Sequence, residues 1–451
     1  MKSQPKNLIF SNKDLIHLVI PLVIELALKL IVGLLDSIMV SSVGEAAVSG
    51  VSLIDTVFQL LIYIFAALAA GGAIVAGQRL GAGNKAEAKR SAGELIWLNA
   101  IISLVIMLLM SGISEWILTH LFGHIEADVY YHAKRYLFVA VFSIPAIGIF
   151  EAGTAIFRTM NDSETTMKIS LLMNAINAVG NAILIYGFLM GTQGAALSTL
   201  VSRWVAAFIV VWLLLNPKRE LSIERSLRHR FDWNLTQNIL SLGIPNGVEN
   251  GIFQLGKIVI LGFVTTFGTS AITANAVTQT LASLEVIPGS AVQLAMIPVI
   301  SRCVGKNGYE QARYYNWKLM KMAYAAMWIW CGVMVLSLPG ILKIYKLSEE
   351  TAKLMITMFL WHTAGAVTLW PLSFDLPASL RASGDVRFPM VISILSMWVM
   401  RLGGAHILAG SLQLGAVGVW IAMSMLDWGF RGTIYVFRWR GGKWMEKRLF
   451  N

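Results

Sequence analysis

Long apolar runs recur twelve times along the chain, near residues 15–39, 51–78, 93–113, 135–157, 167–188, 194–215, 239–263, 272–300, 317–340, 354–380, 388–409 and 415–437. Clusters of Gly, Pro and charge separate them. Each run has about 20 residues or more, enough for an α-helix to cross the hydrocarbon of a bilayer. The pattern predicts an all-α, polytopic membrane protein of twelve transmembrane helices. The polar segments between the runs differ in sign. The N-terminus, every even-numbered connection and the C-terminus together hold 26 of the 36 Lys and Arg residues, whereas 41–50, 189–193, 264–271 and 410–414 hold none. Basic connections stay on the cytoplasmic side, so both termini are predicted inside, in the plasma (inner) membrane.

The longest connection carries Lys218, Arg219, Arg225, Arg228 and Arg230 and divides the chain near its midpoint. It predicts a six-helix half over 1–216, a basic cytoplasmic linker over 217–235 and a second six-helix half over 236–451. The halves repeat one another. A shift of 223 residues aligns Arg79, Asn84, Glu87 and Arg90 with Arg302, Asn307, Glu310 and Arg313, and also Arg158 with Arg381, Asp162 with Asp385 and Gly180 with Gly403. A shift of 224 brings Pro21 and Glu25 onto Pro245 and Glu249, Gly44 onto Gly268 and Glu151 onto Asp375. With an even number of spans, the two copies insert in the same sense, around a pseudo-two-fold axis along the membrane normal. Parallel repeats of this kind are typical of secondary transporters.

Composition sharpens the picture. The chain is 56% hydrophobic and 14% charged, against roughly 25% charged in a soluble domain. Twelve spans leave only short connections, so any function sits among the helices. The net charge of +11 is explained by the loop asymmetry and does not call for nucleic acid. Only two cysteines occur, Cys303 on a predicted cytoplasmic end and Cys331 within a span, which supports neither a disulfide framework nor a thiolate metal site. The first apolar run is too long for a signal-peptide core and reads as an uncleaved span.

Several stretches resemble the multidrug and toxic compound extrusion (MATE) family, and the resemblance covers essentially the whole chain. They are Ile20-Pro21 through Glu25 and Asp36 with Gly44 beyond, Gly77-Gln78-Arg79-Leu80-Gly81-Ala82-Gly83-Asn84, Arg158 before Asp162, Gly194 to Thr199, and Gly243-Ile244-Pro245 with Glu249. The resemblance implies an antiporter that exports organic cations and other amphiphiles in exchange for protons or sodium ions, by alternating access and without a cofactor. It carries over to Asp36 the role of cation-responsive carboxylate. It also matches Asn177 and Asn181, four residues apart on the fifth span, to amide or acidic positions of the family, with Asn174 one turn earlier and Thr199 on the next span. In the second half it matches Glu249 and Asp375 to substrate- or cation-binding acids of one subgroup.

Intramembrane charges usually face a cavity or a partner, because a lone ionised group at the bilayer centre costs at least ~2.5–3.5 kcal/mol on insertion scales. Glu25, Lys29 and Asp36, spaced by four and seven, share one helical face. They form either an ion-pair ladder that satisfies Lys29 or, beside the helix-bending Pro21, a switch. Asn174, Asn177 and Asn181 make a polar stripe that is either interhelical glue or, with Asp36 and Thr199, an oxygen-rich coupling site. In the second half, Glu249, Gln254 and Lys257 on the seventh span, Glu285 on the eighth and Asp375 on the tenth are candidates for substrate or second-cation contacts. Lys257 is placed to neutralise one of the acids, and a static salt-bridge network is the alternative. Such acids would attract lipophilic cations, with Trp370, Phe374 and Met296 adding cation-π and adaptable apolar contacts.

Other signals carry less. His120 and His124 have the spacing of a metal pair, with His132 nearby, but they lie in an outer connection without Cys or acidic ligands. Gly81-Ala82-Gly83 lacks the Gly-Lys-Ser/Thr of a phosphate loop. Asp427 and Arg431 are four apart and read as a mutually neutralising pair. The expected partners are small amphiphilic or cationic substrates and lipids, for a chain acting as a monomer. The alternative from the same superfamily is a flippase or exporter of a lipid-linked or polysaccharide precursor. An intramembrane enzyme would need a compact catalytic pair, and none stands out.

Overall fold

The computed structural model describes residues 8–121, 126–225 and 229–446, and within them the chain is helical with short turns. In chain order the long helices are α1 (Asn12–Ser41), α2 (Glu45–Gly81), α3 (Lys85–Gly112), α4 (Ala127–Thr159), α5 (Ser163–Gly187), α6 (Gly191–Leu214) and α7 (Trp233–Thr265). They continue with α8 (269–305), α9 (Tyr309–Tyr345), α10 (349–382), α11 (Arg387–Ser411) and α12 (415–441). Among the described residues, ten helices are long and apolar enough to cross a membrane, and α10 makes an eleventh when its two pieces, bent by 60°, are taken as one span. The twelfth is the polar exception, because α12 carries Asp427, Arg431, Arg438 and Arg440 and widens into a π-helix over Ala422–Asp427. The twelve runs of the sequence correspond one to one with these helices.

Local chemistry sets the helix starts. The Asn84 side chain accepts from the Glu87 amide at 3.1 Å and Asp162 from the Thr165 amide at 3.1 Å. Ser348 accepts from the Thr351 amide at 3.3 Å. Each satisfies a donor that the first helical turn leaves open. The turns also repeat. Left-handed backbone occurs at Gly44 and Gly268, at Gly83 and Asn307, at Leu189 and Gln413, and at Gly191 and Gly415. Those pairs lie 224 residues apart, and Asn161 and Gly384 form a fifth at 223. The internal repeat is thus written in the backbone as well as in the side chains.

The chain groups into two compact units, one of residues 24–247 and one of residues 1–23 with 248–451. The division falls inside α1 and inside α7, two residues beyond Pro21 and Pro245, rather than at the linker over 217–235. Contacts explain both assignments. In one unit the Tyr315 hydroxyl donates to the Phe10 carbonyl and accepts from the Phe10 amide, each at 2.7 Å. In the other, the start of α7 lies against α2, where a Cβ on Gly71 would sit 2.7 Å from the backbone nitrogen of Gly243. That close approach has no room for a side chain. Gly71→Val is expected to lower stability by about 1–3 kcal/mol, read as a lower unfolding temperature of the purified protein, and an unchanged temperature would show that the helices can separate freely there.

Each unit has its own apolar core. Phe58, Phe65, Ile54 and Leu137 are buried in the first, and Phe359, Met355, Met358 and Trp420 in the second. Large apolar side chains also face outward, among them Phe138, Trp212, Leu336 and Phe437, all at least 70% exposed. A soluble surface would not carry so many, whereas a lipid-facing one does.

Candidate functional site

Within the unit of residues 24–247, α1, α2, α4, α5 and α6 line a cavity of about 510 Å³. Asp36, Asn174, Asn177, Asn181 and Thr199 all line it. The Asn stripe therefore faces Asp36. Asn181 donates to Asp36 Oδ1 at 2.8 Å. With its amide nitrogen toward the carboxylate, Asn177 donates to both Asp36 oxygens at 2.8 and 2.9 Å and accepts from the Thr199 hydroxyl at 3.1 Å. The opposite orientation would press the Asn177 oxygen against an ionised carboxylate. It suits only a protonated Asp36, whose O–H would donate to that oxygen, with Asn177 then donating to Thr199 at 3.1 Å. The Ser198 hydroxyl fixes α5 to α6 by donating to the Asn177 carbonyl at 2.6 Å. Asn174 lines the cavity one turn away, and its amide nitrogen has no hydrogen-bond partner among the described residues.

The same cavity holds a second charged group that the sequence reading passed over. Asp55 on α2 accepts from the Tyr136 hydroxyl at 3.2 Å. Arg203 on α6 donates to the Ser143 hydroxyl at 2.8 Å, lies over the Phe58 ring and interacts electrostatically with both Asp55 and Asp36. Arg203 follows Thr199 by one helical turn, and Asp55 interrupts the apolar second run. Those two signals were available in the sequence.

The other candidate charges on α1 have partners of their own, and Lys29 and Glu151 line the same cavity as Asp36. Glu25 is buried, with Arg158 at 2.9 Å and the Thr166 hydroxyl at 3.0 Å. Lys29 reaches Glu151 at 3.8 Å. The ladder of Glu25, Lys29 and Asp36 along α1 does not form, because each side chain finds a partner on α4 or α5 instead.

The second unit repeats the first pair. Arg381 meets both oxygens of buried Glu249 at 2.7 and 2.8 Å, so Glu249–Arg381 is the copy of Glu25–Arg158. Glu285 is fully buried between His362 and the Thr363 hydroxyl, the latter at 2.7 Å. His362 is a partner that sequence reading missed, because nothing in its spacing points to Glu285 on a helix 77 residues away. Asp375 lies at the widened bend of α10, fully buried, and neither carboxylate oxygen has a hydrogen-bond partner among the described residues. Lys257 does not neutralise any of these acids. It is exposed, lies over the Phe253 ring at 5.6 Å, and has Arg401 as its charged neighbour. Gln254 is half-buried one turn before it. Trp370 and Phe374 stack with centroids 4.9 Å apart, and Met296 is buried against the Ser379 hydroxyl. Asp427 and Arg431 pair at 3.1 Å, with Arg401 at 3.9 Å on the other carboxylate oxygen.

No group of three or more His, Cys, Asp or Glu with metal-binding geometry occurs among the described residues. His120 stacks on Trp116 and His132 lies 3.3 Å from the Thr192 hydroxyl, while His124 falls outside the described residues.

Two bundles of membrane-crossing helices with buried ion pairs and a polar cavity define a polytopic membrane transporter. The sequence profile of the MatE family matches twice, over residues 21–183 and 245–407, so the chain belongs to that family and is a secondary transporter rather than an enzyme. The matches start at Pro21 and Pro245 and reproduce the 224-residue repeat. Among relatives, the probable multidrug resistance protein NorM of Thermotoga maritima is 26% identical over 97% of this chain and 94% of its own length. The uncharacterized transporter YisQ of Bacillus subtilis is 27% identical over 97% and 96%. A solved multidrug resistance MATE family transporter of the MOP superfamily, in an outward-facing conformation, shares the fold with a TM-score of 0.88 and 22% identity over 97% of both chains.

Proposed function

We propose that this transporter exports amphiphilic small molecules from the cytoplasmic membrane in exchange for H+ or Na+, acting as a monomer with both termini inside. The probable multidrug resistance role of the Thermotoga relative supports export of varied substrates. Asp36 is the coupling carboxylate, and one observation carries that reading. Unlike Glu25 and Glu249, each locked to an arginine, Asp36 is held by the neutral amides of Asn177 and Asn181 and forms no ion pair among the described residues. A carboxylate held this way can be neutralised by an incoming cation without breaking a salt bridge. A proton reverses the Asn177 amide and hands its donor to Thr199. A sodium ion would instead draw on the oxygens of Asp36, Asn177, Asn181 and Thr199, in keeping with its preference for oxygen ligands.

Neutralisation changes what holds α1 to α5. Pro21 removes one backbone hydrogen bond from α1, so that helix can bend when its grip on α5 weakens, opening the cavity alternately to either side. Transport in proteoliposomes under separately imposed proton and sodium gradients tests this: only one gradient should drive export, and export indifferent to both would sink the reading. Asp375, buried without a hydrogen-bond partner, is the candidate second proton or cation acceptor. Asp375→Asn is expected to keep or raise the unfolding temperature, because an unmatched buried charge is removed. A fall of several degrees would show instead that Asp375 is matched in the protein.

A flippase or exporter of a lipid-linked precursor is the second reading. It is favoured by the excess of cations around Phe253 in the unit containing residues 248–451.

A further inference from the structure

The acids that would attract a cationic substrate in this unit are largely engaged. Glu249 is held by Arg381 and Glu285 by His362. Around Phe253 the balance is reversed. Lys257 Nζ lies 5.6 Å from the centre of the Phe253 ring, the Arg401 guanidinium 5.6 Å and the Arg431 guanidinium 5.4 Å. Arg431 also covers the Phe374 ring at 4.5 Å. Three cations thus converge on one aromatic ring, and Asp427 is the one carboxylate paired to any of them among the described residues. Its charge is shared, with Arg431 Nε at 3.1 Å and Arg401 at 3.9 Å, while the Ser396 hydroxyl donates to it at 2.6 Å.

The cluster is therefore two positive charges in excess, inside membrane-crossing helices where an unmatched charge is costly. The donors are also incompletely used. Arg431 Nη2 and Arg401 Nε are buried with no hydrogen-bond partner, although Arg431 is 3% and Arg401 7% exposed. Cation-π contacts with Phe253 offset only part of that deficit, since each contributes about 0.5–2 kcal/mol. Lys257 is the one exposed member of the cluster. Phe253 and Phe374 are half-buried, and Phe374 stacks on Trp370 and meets Trp428 edge-on. Guanidinium forks match the oxygens of a phosphate or carboxylate, and the flat aromatic surfaces beside them suit an apolar body.

We infer that Lys257, Arg401 and Arg431 receive the anionic group of an amphiphilic substrate, a phosphate or carboxylate carried on an apolar or aromatic body that packs on Phe253 and Phe374. This rests on the exporter reading above and narrows its substrate class. The Asp427 carboxylate holds the two guanidinium groups in place, and the incoming anion supplies the missing negative charge.

The test uses the full-length protein in nanodiscs of neutral phosphatidylcholine and a matched pair of probes, 1-naphthyl phosphate and naphthylmethyl-trimethylammonium, followed by calorimetric titration. The phosphate should bind more tightly than the ammonium. Lys257→Gln should weaken phosphate binding at least about tenfold, as the loss of one charge-assisted hydrogen bond predicts, with the ammonium unaffected and Lys257→Arg restoring the phosphate. Farnesyl phosphate in the same nanodiscs separates the two sources of the anion. Displacement of the naphthyl probe by it assigns a lipid-linked substrate, and binding of the naphthyl phosphate alone assigns a soluble organic anion. Equal or tighter binding of the ammonium overturns the inference, as does phosphate binding indifferent to Lys257→Gln. If that variant does not fold, the probe pair on the wild-type protein decides. Export that still depends on Asp36 in a protein without anion preference would overturn this inference alone. Anion binding in a protein whose export ignores Asp36 would overturn the coupling reading alone.

Discussion

Asp36→Asn is expected to abolish gradient-driven export, lowering the coupled rate by more than about tenfold, while the protein folds and keeps its unfolding temperature. The substitution preserves the shape of the side chain and part of its hydrogen bonding to Asn177 and Asn181, so stability should change little. It removes the negative charge that a proton or sodium ion would neutralise. The measurement is uptake into inverted vesicles or proteoliposomes with an imposed gradient, alongside thermal unfolding of the same preparation. Normal coupled export by a folded Asp36→Asn protein would end the assignment of Asp36 as coupling group. Asn181→Leu should give a partial version of the same loss, because Asp36 keeps Asn177 as a donor.

The second large effect is on stability and comes from the repeated Glu–Arg pair. Arg381→Met leaves Glu249, itself only 6% exposed, without the guanidinium nitrogen that contacts both its oxygens. Stranding one member of a buried ion pair costs about 3–5 kcal/mol. The double variant Glu249→Gln with Arg381→Met should recover most of that loss, since no ionised group then remains unmatched. Thermal unfolding and the yield of monodisperse protein report both values. Equal destabilisation by the single and double variants would mean that packing, not charge, is what the pair contributes. Arg158→Met should be milder, because the Thr166 hydroxyl still donates to Glu25 at 3.0 Å.

That pair illustrates what a linear reading could not distinguish. Glu25 and Glu249 are intramembrane acids one helical turn after prolines, and by sequence they are as eligible for substrate binding as Asp36. What separates them is a partner 132 or 133 residues away. The same holds for Glu285, whose His362 sits two helices later, and for Lys257, which faces other cations rather than the acids it was expected to neutralise. By contrast, Asp36 and the Asn stripe were legible. The stripe repeats with helical spacing, and one polar face on an apolar helix must turn toward other polar groups. Asp55 and Arg203 were legible by the same rule, as charges inside apolar runs, yet their meeting in Asp36's cavity was not.

The sequence by itself determined the twelve helices, their duplication at an offset of 223 to 224 residues, and the residue types at Asp36, Asn174, Asn177, Asn181 and Thr199. These follow from local rules: the length of an apolar run, the period of a helix, and the turn residues recurring in both copies. The tertiary structure decided which charges are spent. An ion pair depends on distances between helices far apart in the chain, and no periodicity within one helix reports them. Thus only the packed structure shows Glu25 and Glu249 neutralised by Arg158 and Arg381, Asp36 hydrogen-bonded by amides with no ion pair among the described residues, and Lys257, Arg401 and Arg431 gathered on Phe253 with too little negative charge among them.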